Sequence, residues 1–227
     1  MTAPAYFITG TDTEIGKTFV SCALLHRARA AGLATAGLKP VAAGTDAQGR
    51  NEDVEQILAA SSVRLPAECV NRYCFRAPIA PHLAAAEEGV HIDFLRIAGD
   101  LAQARAAADF VVVEGAGGFR VPLGVDHEQR LQDGADLART LDLPVIFVVG
   151  MRLGCINHSL LSIEAIQARG LPLAGWVANH IDPAMSRFED NLKSLRSLMP
   201  APLLGVIPHA PAGGAAGAAR CLDLPPR

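Results

Sequence analysis

The apolar residues of the chain fall into short continuous runs separated by longer stretches with helical spacing. Tyr6-Phe7-Ile8-Thr9 is the first run, and residues 17–31 follow it with Val20, Leu24 and Ala28 on one helical face. Ala36-Gly37-Leu38-Lys39 predicts a second strand, stopped by Pro40. Phe110-Val111-Val112-Val113 and Val145-Ile146-Phe147-Val148-Val149 are continuous and β-branched, as strands covered on both faces are. Helical patterns cover residues 92–107, 135–141, 158–169 and 187–198, and Trp176-Val177-Ala178 and Leu203-Leu204-Gly205-Val206 predict the last strands. This alternation predicts an α/β fold with a doubly wound, mainly parallel sheet flanked by helices.

Two segments break the rhythm. Residues 65–90 hold three prolines and little periodicity, which predicts an irregular segment near a functional site. Residues 210–227 are rich in Gly, Ala and Pro and predict a mobile tail. There is no internal repeat and no composition break, so residues 1–227 read as a single domain.

Composition narrows the function classes. With 227 residues, half of them hydrophobic, the chain can bury a full core. The net charge is −3 and the basic residues are scattered, which speaks against a nucleic-acid surface. No apolar run reaches the roughly 18 residues that a membrane helix needs. The first residues lack a basic segment, so the expected location is the cytoplasm. Cys22, Cys69, Cys74, Cys155 and Cys221 form no C-x-x-C pair and are expected to be reduced thiols packed as small apolar groups. The histidines are dispersed too, so any metal is expected to be Mg²⁺ held by oxygens.

The strongest chemical signal is Gly10-Thr11-Asp12-Thr13-Glu14-Ile15-Gly16-Lys17-Thr18, between a predicted strand and a predicted helix. Successive backbone amides and a helix N-terminus make an anion cradle there. Lys17 suits the β- and γ-phosphates of ATP, and the Thr18 hydroxyl suits Mg²⁺. Spacing is irregular, because Thr11 stands where the first glycine of a phosphate loop belongs and Gly10 comes one residue early.

A second signal is Val113-Glu114-Gly115-Ala116-Gly117-Gly118, an acid at a strand end followed by a glycine turn, where doubly wound folds bind ligands. Lys39 ends a buried strand, as a second cation over the phosphates or as a snorkelling surface lysine. Asp53 stands at a helix start, where helix-dipole stabilisation and a Mg²⁺ role are both open.

These residues together resemble dethiobiotin synthetases, members of the P-loop NTPase superfamily. The resemblance rests on the phosphate loop from Thr9 to Thr18, Leu38-Lys39-Pro40-Val41, the Glu114 turn, Val149-Gly150-Met151-Arg152-Leu153-Gly154-Cys155-Ile156-Asn157-His158 and Gly175-Trp176-Val177-Ala178-Asn179. It implies a ligase that joins 7,8-diaminopelargonate, CO₂ and ATP into dethiobiotin, ADP and phosphate through a carbamate and a mixed anhydride. It also implies roles. Lys17, Lys39 and Thr11 would be catalytic. Thr18, Asp53 and Glu114 would hold Mg²⁺. The nucleotide would be wrapped by Glu14, Ile15, Gly16, Lys17, Thr18 and Phe19, with Gly115, Ala116 and Gly117 close by. Asn179 would read the adenine edge beside His180, and Pro208, His209 and Ala210 would line the base pocket. The substrate would meet Thr11, Lys39, Ala43 and the amides of Gly154, Cys155, Ile156 and Asn157, the last four supplied by the neighbour in a homodimer. Ala43 departs from the family pattern, where many members carry Ser or Thr.

Two rivals share parts of this pattern. A cobyrinate-type amide synthase needs an amidotransferase domain for which the chain has no room. A ParA/MinD-like switch ATPase carries an early lysine in its phosphate loop, which Thr11-Asp12-Thr13 lacks.

Overall fold

The computed structural model describes residues 3–126 and 128–226. Its strands are β1 (Ala5–Gly10), β2 (Thr35–Leu38), β3 (Val41–Ala43), β4 (Tyr73–Phe75), β5 (Phe110–Glu114), β6 (Pro122–Val125), β7 (Leu131–Asp133), β8 (Val145–Gly150), β9 (Leu173–Asn179) and β10 (Leu203–Ile207). Its helices are α1 (Lys17–Ala30), α2 (Glu52–Ala60), α3 (Ala67–Val70), α4 (Pro81–Glu87), α5 (Phe94–Ala107), α6 (Gly134–Leu141), α7 (Cys155–Ala168), α8 (Phe188–Leu198) and α9 (Gly214–Ala218).

Six strands form one sheet in the order β10-β9-β8-β1-β5-β2, and every pairing in it is parallel. The strands are apolar on both faces because both faces are covered. Along β1, Phe7 joins one core cluster and Tyr6 and Ile8 the other. Val111 and Val113 of β5 likewise face away from Phe110 and Val112. The chain enters at β1, winds out to β2, returns to β5, and later continues on the far side of β1 from β8 to β10. That reversal puts the crevice of a doubly wound sheet at the carboxyl end of β1.

Several expectations need correction. Residues 65–90 are not irregular: they hold α3, β4 and α4, and β4 pairs in parallel with β3. Their prolines punctuate these elements, Pro66 as the N-cap of α3 and Pro81 in the first turn of α4. The stretch expected to be a mobile tail carries α9 and a 3-10 turn, with Ala218, Ala219 and Leu222 buried. Arg27 Nε of α1 donates to the Leu222 carbonyl, and Leu222 bridges to Gly205 of β10. Small residues let this segment lie flat on α1 and β10, which composition alone hides. Cys22, Cys69 and Cys155 are buried as expected, but Cys74 and Cys221 are exposed. No helix among the described residues is long and apolar enough to cross a membrane.

Candidate active site

The phosphate loop runs from the end of β1 into α1. Gly10 is forced by close approach, since a side chain there would put its Cβ 2.6 Å from the Val148 carbonyl of β8. Thr11 then follows instead of a glycine because its hydroxyl is needed: Oγ1 accepts the Gly150 amide at 3.1 Å, while the Thr11 amide donates to Val148. The irregular spacing thus reflects how tightly β1 and β8 meet. Glu14 and Gly16 both take left-handed conformations, φ 57° and 81°. Gly16 is the N-cap of α1 and has no capping side chain, which leaves the first-turn amides to a ligand.

Glu114, at the end of β5, is buried and accepts three hydrogen bonds. Thr18 Oγ1 reaches Oε1 at 2.7 Å, Ser21 Oγ reaches Oε2 at 2.7 Å, and Lys39 Nζ reaches Oε1 at 2.5 Å. Lys39 also pairs with Asp53 Oδ2 at 3.2 Å. Lys39 is therefore not a snorkelling surface lysine. Burial works against its charge, but Glu114 and Asp53 outweigh that and hold its pKa above the usual lysine value.

The segment from 65 to 90 fixes Lys39 in place. The Lys39 amide donates to the Val70 carbonyl, and Asn71 Nδ2 donates to the Lys39 carbonyl at 2.6 Å. Asp53 is set by α2, whose N-cap Asn51 accepts from Val54 and ties back to Gly44. Asp53 lies in the first turn of α2, as the helix-dipole reading expects, and its carboxylate also faces Lys39 at the rim of the site.

Lys17 is buried and folds back onto its own loop, donating from Nζ to the Asp12 carbonyl at 2.6 Å. Burial first, and the Lys39 charge second, pull its pKa down to about 8. Thr13, Glu14, Gly16, Lys17, Thr18, Phe19, Lys39, Asp53, Gln56, Glu114 and Gly117 line a common cavity of about 340 Å³. Ala43 sits in β3, only partly buried. Ile15 is in the loop core. Gly115 and Ala116 follow Glu114 in the second glycine turn.

At the far end, Asn179 closes β9 and donates its Nδ2 to the Ile15 carbonyl at 2.8 Å. His180 stacks on Phe188 with ring centroids 4.2 Å apart. With Pro208 and Val206 it lines a separate cavity of about 480 Å³. His209 lies against the His180 carbonyl, and Ala210 is left-handed with φ 44°. Asn179 and His180 thus stand between the loop and Pro208-His209-Ala210. The other predicted cluster is at the start of α7. Gly154, φ 95°, is its N-cap, the Cys155 amide donates to Arg152, and Ile156 and Asn157 begin the helix with no side-chain cap.

Sequence reading missed Ser21, whose hydroxyl holds the second oxygen of Glu114, and the ion pair between Asp12 and Arg152. Ser21 was legible only as the residue one turn after Thr18 on the same helical face.

Among the described residues no three His, Cys, Asp or Glu side chains cluster as a metal cage. A Mg²⁺ that arrives with phosphates needs none, since it takes one or two carboxylates and keeps waters. Thr18 Oγ1 and Glu114 Oε1, 2.7 Å apart, with Asp53 across Lys39, are hard oxygen donors of that kind.

The chain matches a family model described as an AAA domain over residues 4–216. The ATP-dependent dethiobiotin synthetase BioD of Aromatoleum aromaticum is 58% identical, covering 99% of this chain and 100% of that protein. The enzyme of the same name from Pseudomonas paraeruginosa is 54% identical over 98% of this chain and 97% of its own. Among solved structures, the septum site-determining protein MinD with Mg-ADP from Pyrococcus horikoshii is similar with TM-score 0.55 at 16% identity, covering 98% of this chain and 87% of that one. A chain of the MinC:MinD cell division protein complex of Aquifex aeolicus gives TM-score 0.54 at 14% identity, covering 99% of each chain. At such low identity the likeness shows the fold alone. The full-length matches, with the lysines and acids gathered at the end of β1, show that the chain belongs to the ATP-dependent dethiobiotin synthetase family.

Proposed function

We propose that the chain is a ligase acting in biotin biosynthesis, closing 7,8-diaminopelargonate and CO₂ into dethiobiotin while ATP becomes ADP and phosphate. One substrate amine takes up CO₂ and loses a proton, giving a carbamate. A carbamate oxygen attacks the γ-phosphorus, and the bond to the ADP oxygen breaks. The second amine then attacks the carbamoyl carbon, loses a proton, and phosphate leaves as the ring closes. The chemistry needs cations and positioned amides more than a strong base.

The observation that carries this reading is that Lys17 and Lys39 line one cavity together with the buried Glu114 carboxylate, to which Lys39 is paired. Lys17 would hold the β- and γ-phosphates. Lys39 would meet the carbamate and the transferring phosphoryl group, where negative charge passes from one oxygen to another. Thr11, held by Gly150, would orient the carbamate. Thr18, Glu114 and Asp53 would hold Mg²⁺, which when bound neutralises phosphate charge. Asn179 would offer its carboxamide oxygen to the adenine amine, beside His180 and the Pro208-His209-Ala210 turn. Of the amides that open α7, from Gly154 to Asn157, all but that of Cys155, which the Arg152 carbonyl already holds, would bind the substrate carboxylate, and a hydroxyl-free Ala43 would leave that side of the substrate to water.

Residues 1–227 would act as one domain in the cytoplasm, as a homodimer with α7 at the interface. Leu153, 91% exposed just before the N-cap of α7, and Leu161, 58% exposed in its middle, support that surface.

The test is phosphate release from ATP with and without the diamine and bicarbonate. Release that depends on both is expected. ATP turnover indifferent to the diamine would replace the ligase with a switch ATPase.

A further inference from the structure

Asp12 and Arg152 have no role in the reading above, yet they join its two halves. Asp12 lies in the phosphate loop, and Arg152 lies between the end of β8 and the N-cap of α7. Arg152 Nη2 meets Asp12 Oδ2 at 2.5 Å. Asp12 also uses both of its other acceptors inside the loop. Oδ1 takes the Thr13 amide at 2.8 Å, and the main-chain carbonyl takes Lys17 Nζ at 2.6 Å. Arg152 is equally engaged on the other side, since its carbonyl accepts the Cys155 amide that opens α7. A second tie runs parallel, from the Gly150 amide to Thr11 Oγ1. The residue that shapes the loop around Lys17 is thus fastened to the residue that shapes the start of α7.

Both side chains are a little under half exposed, so the pair would contribute little as a plain surface salt bridge. Its value lies in what it connects. An ion pair whose two ends each set the backbone of a different ligand site makes the two sites move together, and two sites that share one rigid arrangement bind their ligands cooperatively.

We propose that Arg152 is a positioning residue which acts through Asp12 to lock the phosphate loop to the entrance of α7, coupling nucleotide binding to capture of the diamine carboxylate. The proposal rests on the ligase reading. It assigns Arg152 no contact with the reacting atoms.

The experiment measures diamine binding by calorimetry, in bicarbonate, with and without a saturating non-hydrolysable ATP analogue. At saturation every loop is filled, so the coupling is the same quantity whichever copy of the chain supplies the α7 amides. The wild-type chain is expected to bind the diamine about tenfold more tightly with the analogue present. Arg152→Ala and Asp12→Asn should each bring that ratio close to one, and the double variant should lose nothing more. Asp12→Asn keeps an oxygen for the Thr13 amide, so it removes the ion pair without opening the turn. Arg152→Lys should retain most of the coupling. In turnover, the KM for the diamine should rise in the coupling-deficient variants, with kcat changed far less. Variants that keep the wild-type ratio would overturn the proposal, as would an equal loss of analogue binding alone, which marks a collapsed loop. A wild-type chain whose phosphate release ignores the diamine would sink the ligase reading and this proposal with it. A wild type that turns over while the variants stay coupled would sink only the proposal.

Discussion

The Lys39 ammonium lies 2.5 Å from Glu114 Oε1, joining the ends of two neighbouring strands, β2 and β5, through one buried ion pair. Removing one member of such a pair leaves an uncompensated buried charge, which costs about 3–5 kcal/mol. Lys39→Met is therefore expected to lower unfolding stability by that amount in urea titrations. Lys39→Gln keeps a donor toward Glu114 and should fold better. Its turnover should fall far more than its ATP affinity, the signature of a group that acts in the transition state. Loss of ATP affinity alone would make Lys39 a binding residue.

Lys17 gives a pH dependence. Its pKa is pulled from the usual 10.5 to about 8, chiefly by burial. Because the charged form is the one that suits the phosphates, kcat/KM for ATP should decline as pH rises past about 8. Lys17→Arg, charged throughout, should lack that limb. Stability responds with the opposite sign. Between pH 8 and 10.5 the unfolded chain holds the Lys17 proton and the folded chain has released it, so this group's contribution to stability rises with pH across that window. A kcat/KM profile flat to pH 10 would contradict the assignment.

Gly16 is constrained twice. Its φ of 81° costs an L-residue about 1–2 kcal/mol. A Cβ there would stand 2.3 Å from Asn179 Nδ2. Gly16→Ala should weaken ATP binding by about tenfold or more, since 1.4 kcal/mol corresponds to a factor of ten. Adding Asn179→Ala removes the collision but not the backbone strain, so the double variant should recover only part of the affinity by calorimetry.

The C-terminal stretch is expected to matter for stability rather than chemistry. Leu222→Ala empties a buried site between α1 and β10 and should cost about 2–5 kcal/mol in thermal or urea unfolding. A variant as stable as the parent would restore the idea of a loose tail.

Leu161→Glu tests the proposed dimer. Sedimentation should show a monomer with little turnover, while ATP-analogue binding persists. A dimer that survives the substitution would move the interface elsewhere.

Much of the fold was legible because its signals are local. Val111-Val112-Val113 and Val145 to Val149 can be little else than covered strands, and the Gly16-Lys17-Thr18 turn lies where strand gives way to helix. The parts that escaped are those set by distant partners. β3 and β4 are three residues each and are defined by each other, β3 directly after Pro40 and β4 beyond a stretch broken by Pro66. Gly- and Ala-rich residues 210–222 look featureless until α1 and β10 are in place to receive them. In the site, Lys39 and Glu114 stood out as a cation and an acid at buried strand ends. Ser21 and Arg152 did not, because a serine in a helix and an arginine in a loop are ordinary until their partners are seen.

The position of β1 has one more consequence. Among the described residues it is the only strand hydrogen-bonded to both β5 and β8, in registers that pair Ala5 with Val111 and Phe7 with Val145. Glu114 comes with the first pairing, and the Gly150 tie to Thr11 comes with the second. Each joins parts of the chain that are far apart in sequence, and such closures are slow. The loop near the N-terminus can be synthesised early, but it faces its acid and its α7 partner only after both closures. The site is therefore complete only in a chain that has made both pairings, and a copy that lacks either has no assembled site with which to turn over ATP.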